Sequence, residues 1–469
     1  MLGEDSLSKG PESWLGRRRH AGRACEDEPV AKPMTSGGKL AEDATSLWPM
    51  WVLAFVLMID QVDQNILRGA ASPIQHAFHL SDFQLGLLLS CYTIANGIVS
   101  VPAGYLADRW VRRRGIAITL VVWSAITALT AAAFDFASLV VVRTALGMGE
   151  AVSEPSSSSL LADFYPQRRR GLAFAAQQCL SFIGFGLGLS LGGIVASAAG
   201  WRAAFLLVGL PGSLIAFAVW RLREPVRGAV DQAPEELGPA LPLAHGLKEM
   251  TAHLLVGFRT VLSIRTLRYA LIGVSALLFT VTAAASALPQ FYEHQLGKST
   301  GQAAAFTGLL IVLAGVPGVF VGGRLADRIA LRYRGGRVAL PAIALLFGES
   351  VFVLSFIHMA FAAVYVLELA GTFLVTVAVP PLKAGLSDVL PARIRGTGFA
   401  AFNIVSVIAG QAAASVVVFS IAGALGNNYR TALLIISPGV AAGALVLWRA
   451  RRYLDADVAR ARSAPAPRG

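Results

Sequence analysis

Apolar stretches long enough to cross a bilayer recur along this chain, separated by short polar or basic breaks. A membrane helix needs about 20 largely apolar residues, and on that basis the pattern predicts twelve spans. They lie at roughly 47–68, 82–107, 115–134, 137–163, 171–199, 202–222, 266–292, 302–327, 337–358, 361–389, 394–424 and 429–453. The breaks differ in charge. Arg109–Arg114, Arg168–Arg170, Arg328–Arg337, Arg393 with Arg395, and Arg449–Arg452 all fall on one side of the bundle. The alternate breaks (Gly69–Ser81, Asp135, Ala199–Gly200, Glu293–Gly301, His358, Asn427–Asn428) hold few basic residues. The positive-inside rule then places both termini in the cytoplasm. Residues 1–46 read as a disordered cytoplasmic tail, 47–222 as a six-helix bundle, 266–453 as a second one, and 454–469 as a cytoplasmic tail. Residues 223–265 form the linker between the bundles. Its later part spaces Leu247, Met250, Leu254, Phe258 and Val261 at helical intervals, which predicts an amphipathic helix lying at the membrane surface or against the bundle.

Composition agrees with an integral all-α membrane protein. Hydrophobic residues make up 55% of the 469, charged residues 14%, and mean hydropathy is +0.61. The formal charge of +12 sits in short loops, where it orients the chain in the bilayer, and no nucleic-acid partner is expected. Cys25, Cys91 and Cys179 have no metal spacing and are read as unpaired. Neither a nucleotide loop nor a nucleophile elbow nor a metal cluster is present, so no enzyme, cofactor or metal site is expected.

One motif is repeated. GYLADRWVRRR spans Gly104–Arg114, and GRLADR returns at Gly323–Arg328, an offset of 323 − 104 = 219 residues, nearly half the chain. Two similar halves follow from this repeat. The GxLADR pattern between the second and third spans resembles the signature of the major facilitator superfamily. That resemblance implies twelve transmembrane helices in two pseudo-symmetric six-helix bundles. The fifth span carries Gly184, Gly186, Gly188, Gly192 and Gly193, which allow close helix contacts. It overlays the antiporter pattern GxxxGPxxGG, with Leu189 where that pattern has proline.

Charges inside a bilayer are costly and mark functional candidates. The first span offers Asp60, Asp63 and Gln64, and the fourth offers Arg143, Glu150 and Glu154. At 100° per residue, Arg143, Gly147, Glu150 and Glu154 share one stripe, with Arg143 and Glu150 about 10 Å apart along the axis. Asp63 and Arg143 fall at similar depth and are expected to pair. A carboxylate beside a guanidinium stays ionised, whereas one left in apolar surroundings holds its proton more readily. Glu150 is therefore expected to alternate between these conditions in a proton-coupling set of Asp63, Arg143, Glu150, Asp60 and Glu154. These residues equally serve to hold the first bundle together. The substrate cavity is assigned Gln64, Asn96 and Lys383, the last following Pro380–Pro381, which must break the tenth span. A cytoplasmic gate is assigned Gly104, Asp108, Arg109, Arg112, Asp163, Asp327 and Arg328. Glu349 and Glu368 are further intramembrane charges; His76, His79 and His294 lie in outer loops.

Within the superfamily, the first span MIDQVDQNIL resembles the NFVDRQIL pattern of the Spinster-type lipid transporters. The fourth-span stretch VRTALGMGEAVSEPSSSSLLADFYPQRRRG is similar to their ARxxxGxGEAxxxPxxxSxxxDxFPxxxR. GWRAAFLLVGLPG, GGRLADRIALRYRGGRVALPAI and YRTALLIISPG also match that family's habit. The resemblance implies a proton-coupled carrier of a sphingoid or lysophospholipid amphiphile, monomeric, in the inner (plasma) membrane. It matches Asp63, Arg143 and Glu150 to the family's acids and arginine, while Gln64 stands where the family has arginine. Three rivals remain: a proton symporter for organic anions such as sugar acids or aromatic carboxylates, a multidrug exporter, and a nontransporting sensor.

Overall fold

The computed structural model describes residues 46–109, 111–225, 255–332, 335–390 and 395–463. The tail up to residue 45, most of the linker (with Leu247, Met250 and Leu254) and the last six residues lie outside it, as do the side chains of Gly104, Asp108, Arg109, Arg168, Asp327 and Lys383.

The described chain is helical. The first half comprises α1 (Trp48–Gly69), α2 (Ala71–Phe78), α3 (Asp82–Arg109), α4 (Arg112–Thr130), α5 (Phe136–Glu150), α6 (Ser153–Phe164), α7 (Gln167–Ala199) and α8 (Trp201–Trp220). A short helix α9 covers 255–263. The second half continues with α10 (Arg265–Leu296), α11 (Thr300–Leu310), α12 (Val316–Arg332), α13 (Gly336–Leu354), α14 (Phe361–Val377), α15 (Val379–Val389), α16 (Arg395–Ser406), α17 (Ala413–Ala424) and α18 (Tyr429–Ser463). Among the described residues, eleven stretches are long and apolar enough to cross a membrane, and Val338–Leu354 is a shorter apolar helix in the place of the ninth span. The architecture is the major facilitator arrangement of two six-helix bundles. Helices predominate because hydrocarbon offers the backbone no hydrogen bonds, and a helix satisfies its own.

Several spans are broken, and proline locates two of the breaks. A proline lacks the N–H that would reach the carbonyl four residues back, and its ring collides with that carbonyl. Pro155 points back to Ala151, where α5 gives way to α6; Pro380 and Pro381 point back to Thr376 and Val377, where α14 gives way to α15. In the eighth span Pro317 follows a π-helical turn at Ile311–Gly315, the wider turn that commonly absorbs such a fault. The fourth-span break corrects the expectation of one stripe. Glu150 ends α5 and is buried, whereas Glu154 lies on α6 and is exposed. Two further expectations change. The stretch read as an outer loop at 69–81 contains α2, and the last helix runs to Ser463 beyond the expected end near 453. The extension docks: Asp457 accepts bonds from the Thr266 backbone N–H (2.9 Å) and hydroxyl (2.7 Å), capping the start of α10. In α9, Val261 and Phe258 pack on the second half's core, while Leu255, Val256 and Leu262 are exposed.

Ends of helices are held by local chemistry. Asp135 and Ser138 form a reciprocal capping box at α5, and the Ser138 bonds hold the Asp135 carboxyl below the usual carboxylate range. At α4, the Glu224 carboxylate accepts from the Arg112 and Arg113 backbone N–H groups at 3.3 and 3.0 Å, a favourable place for negative charge.

Glycine sets the closest packing. Gly184, Gly188 and Gly192 of α7 abut the backbone carbonyls of Met58, Val62 and Ile66 on α1, a four-residue period on both helices. Gly186 meets Gly308 of α11 from another side of α7, joining the two halves at the face opposite the arginines. A Cβ at Gly188 would stand 2.5 Å from the Val62 carbonyl oxygen, with backbone on both sides. Gly188→Val should therefore cost about 1–3 kcal/mol through overpacking, read as a fall in melting temperature. Gly171→Ala, where nothing lies within 4 Å, is the control and should leave the melt unlowered or raise it slightly, since alanine favours helix over glycine.

Candidate transport site

Two features share the middle of the structure: a buried charge cluster in the first half and a cavity between the halves. The cluster begins with Asp63 and Arg143, each 1% exposed. Arg143 Nη1 lies 3.6 Å from Asp63 Oδ1, and its Nη2 donates to the Asp63 backbone carbonyl at 3.4 Å. The guanidinium also sits over the rings of Tyr92 (5.5 Å) and Phe205 (5.8 Å). Thr127 of α4 donates to Asp63, and Tyr92 of α3 donates to Glu150. The ion pair is loose: Asp63 Oδ1, Arg143 Nη1, Arg143 Nε and Glu150 Oε1 are buried without a hydrogen-bond partner. Asp63 and Glu150 lie within electrostatic reach of each other, and each keeps one carboxyl oxygen without a partner. Glu150 is 2% exposed and Asp60 5% exposed, both within electrostatic reach of the cluster.

The cavity has a volume of about 600 Å³ and lies between the two halves. Its first-half wall carries the charged and most of the polar groups, with Asp60, Gln61, Glu154, Ser158, Gln177 and Gln178 beside Phe174, Phe182 and Phe185. Its second-half wall is mainly apolar, from Val274, Leu277 and Val281 of α10 and Val379, Leu382 and Leu386 of α15. A small apolar recess of about 30 Å³ continues from it, sharing Phe182, Phe185, Val281 and Thr376. Among the described lining residues there is no lysine, arginine or histidine.

Contacts between the halves close the far face. Arg68 Nε donates to Ser286 Oγ at 3.2 Å, Ser90 Oγ to the Ala412 carbonyl at 2.7 Å, and Tyr429 to Asp82 at 3.3 Å.

The expected site residues therefore divide. Asp63, Arg143, Glu150 and Asp60 come together, and Asp60 and Glu154 reach the cavity. Gln64 and Asn96 are placed off the described lining; Gln64 donates to Asp60 at 3.0 Å, not to Asp63. The reason is helical register, since Asp60 and Gln64 are four apart and share a face. Arg112 and Asp163 do pair, but within the first half, where Arg112 also bonds Glu224 at 3.0 Å and Ser159 at 3.0 Å. Arg328 is exposed at the arginine-bearing face. Residues that sequence reasoning missed are Tyr92, Thr127, Glu224 and the glutamines Gln61, Gln177, Gln178 and Gln411. Amides inside an apolar span were the available signal for the last four.

Helices long enough to span a bilayer thus enclose a cavity between the two halves. The chain belongs to the Major Facilitator Superfamily, whose family pattern matches residues 53–414. Among curated proteins it is 27% identical over 285 residues to the probable L-galactonate transporter of Escherichia coli (strain K12), covering 59% of this chain and 61% of that one. It is 24% identical over 353 residues to protein spinster homolog 3 of Danio rerio, covering 72% and 68%. The chain spans less than two thirds of the length of the first curated relatives it matches. Its fold is that of a bacterial homolog to the human lysosomal transporter Spinster, solved inward-facing and unoccupied, with a TM-score of 0.70 at 20% identity. That match covers 89% of this chain and 98% of the other.

The Arg143 contact makes a testable statement about stability. Removing one partner of a buried pair costs about 3–5 kcal/mol, and removing both costs much less. Arg143→Leu alone should melt well below wild type, and Arg143→Leu with Asp63→Leu should recover most of the loss. A double variant as unstable as the single one would show that the pair is not the source of the cost.

Proposed function

We propose that this transporter is proton-coupled, resides in the plasma membrane as a monomer, and moves a lipid-like amphiphile by alternating access. On this reading the arginine-bearing face is cytoplasmic, and the cavity opens to the cytoplasm. The observation that carries the coupling is charge balance. Asp60, Asp63 and Glu150 are buried together, and Arg143 is the guanidinium that pairs with Asp63 among them. Uncompensated charge is expensive in this environment, so protons complete the balance, and the partnerless oxygens of Asp63 and Glu150 supply places for one. When the bundles rock and Arg143 turns toward Glu150, that proton leaves.

The cargo class follows from the walls. One apolar wall with a recess accommodates a hydrocarbon tail, and the polar wall accommodates a head. A second reading, a carrier of sugar acids, is favoured by the relative named as an L-galactonate transporter. Its weakness is that no cation among the described lining residues faces such a ligand.

Proteoliposomes under an imposed pH gradient test the coupling. Glu150→Gln, fixed in the uncharged form, should still exchange cargo across the membrane but lose accumulation driven by the gradient. Accumulation equal to wild type would remove Glu150 from the mechanism. For the cargo, single-chain amphiphiles should raise the melting temperature of the purified protein and galactonate should not; the opposite pattern would favour the sugar-acid reading.

A further inference from the structure

We propose that the polar wall of the cavity is a subsite for a net-cationic ammonium head carrying an oxygen acceptor close to the nitrogen. This rests on the amphiphile reading and deepens it by assigning the charge of the head.

Two carboxylates, from different spans, line the same wall. Asp60 of α1 and Glu154 of α6 both border the cavity and lie within electrostatic reach of each other. The partner that Asp60 holds is neutral, the Gln64 amide at 3.0 Å. Glu154 lies on the exposed surface of α6, beyond the break that Pro155 imposes. Two like charges on one wall repel, and a cation between them turns that repulsion into attraction.

A second observation points to a ligand independently. Gln177 of α7 is 4% exposed, borders the cavity, and its amide nitrogen has no hydrogen-bond partner. A buried donor left unpaired costs free energy, and a ligand oxygen beside the ammonium would satisfy it. Gln61 and Gln178 on the same wall add neutral hydrogen-bonding capacity without charge.

The cavity is correspondingly poor for an anionic head. Its described lining carries no basic side chain. The one helix start on the apolar wall, at α15, has Pro380 and Pro381 in its first turn. These have no N–H to offer the anion that a helix N-terminus would otherwise attract. A phosphate at this wall would face Asp60 and Glu154 with no basic side chain among the described lining residues to offset them.

The test uses the full chain in nanodiscs, with empty nanodiscs subtracted, and two matched probe pairs. Tetraphenylphosphonium and tetraphenylborate share a shape and differ in the sign of charge; dodecyltrimethylammonium and dodecylphosphocholine share a dodecyl tail and a trimethylammonium, and differ by a phosphoethyl linker that cancels the charge. Each cationic member should bind about tenfold more tightly or better, the range of a charge-assisted contact. Asp60→Asn and Glu154→Gln should each remove most of that preference. Dodecyl(2-hydroxyethyl)dimethylammonium should bind more tightly than dodecyltrimethylammonium, and Gln177→Leu should abolish that advantage. Equal or reversed affinity within the charge pairs overturns the cationic head while the amphiphile reading stands. A preference that survives both carboxylate variants overturns the assignment to this wall. A hydroxyl advantage that is absent, or unchanged by Gln177→Leu, overturns the oxygen contact. Binding of galactonate with no binding of any of these probes overturns both the subsite and the amphiphile reading.

Discussion

A guanidinium sealed inside a membrane bundle dictates what surrounds it. Arg143 is buried among Asp63, Tyr92 and Phe205, and no water replaces those partners in a hydrocarbon setting. α1, α3 and α8 each contribute a group to hold it, so the orientation of the first bundle about α5 follows from one cation. The same enclosure brings three carboxyl groups together. Their balance is incomplete, with unpaired oxygens and nitrogens at the contact. A fully satisfied network would be rigid, whereas one with orphaned atoms has an alternative arrangement within reach.

The two faces of the molecule are built differently. At the far face, glycines of α7 let backbones approach, and a few hydrogen bonds from Arg68, Ser90 and Tyr429 link the halves. At the arginine-bearing face, described bonds stay within one half: Arg112 joins Asp163, Ser159 and Glu224, and Asp457 joins Thr266 in the second half. The described bonds thus link the halves at one face and stiffen each half separately at the other. Broken spans border this space. Pro155 and Pro380–Pro381 end regular helix where α6 and α15 line the cavity, so irregular backbone appears where a cavity tolerates it.

The chemistry of the cavity divides along the same halves. Carboxylates and amides come from α1, α6 and α7, and most aliphatic side chains from α10 and α15. The two walls thus offer different chemistry to whatever occupies the space between them.

Much of this was legible in the residues alone. Apolar run length determined the helical spans, because a bilayer admits little else. The repeated GxLADR stretch carried the two-fold organisation, and the cost of intramembrane charge singled out Asp60, Asp63, Arg143, Glu150 and Glu154. Matching depth along two helices already brought Asp63 toward Arg143. What required the tertiary structure were relations between helices and departures from ideal helix. Rotation at 100° per residue put Glu150 and Glu154 on one stripe, and Pro155 separated them into a buried acid and a cavity-lining one. Gln64 read as a neighbour of Asp63 in sequence, and helical register turned it to Asp60. Arg112 read as part of a gate, and packing tied it within one half. The partners Tyr92, Thr127 and Gln177 carry no charge, so nothing in the chain set them apart until folding placed them beside charges that have no water to turn to.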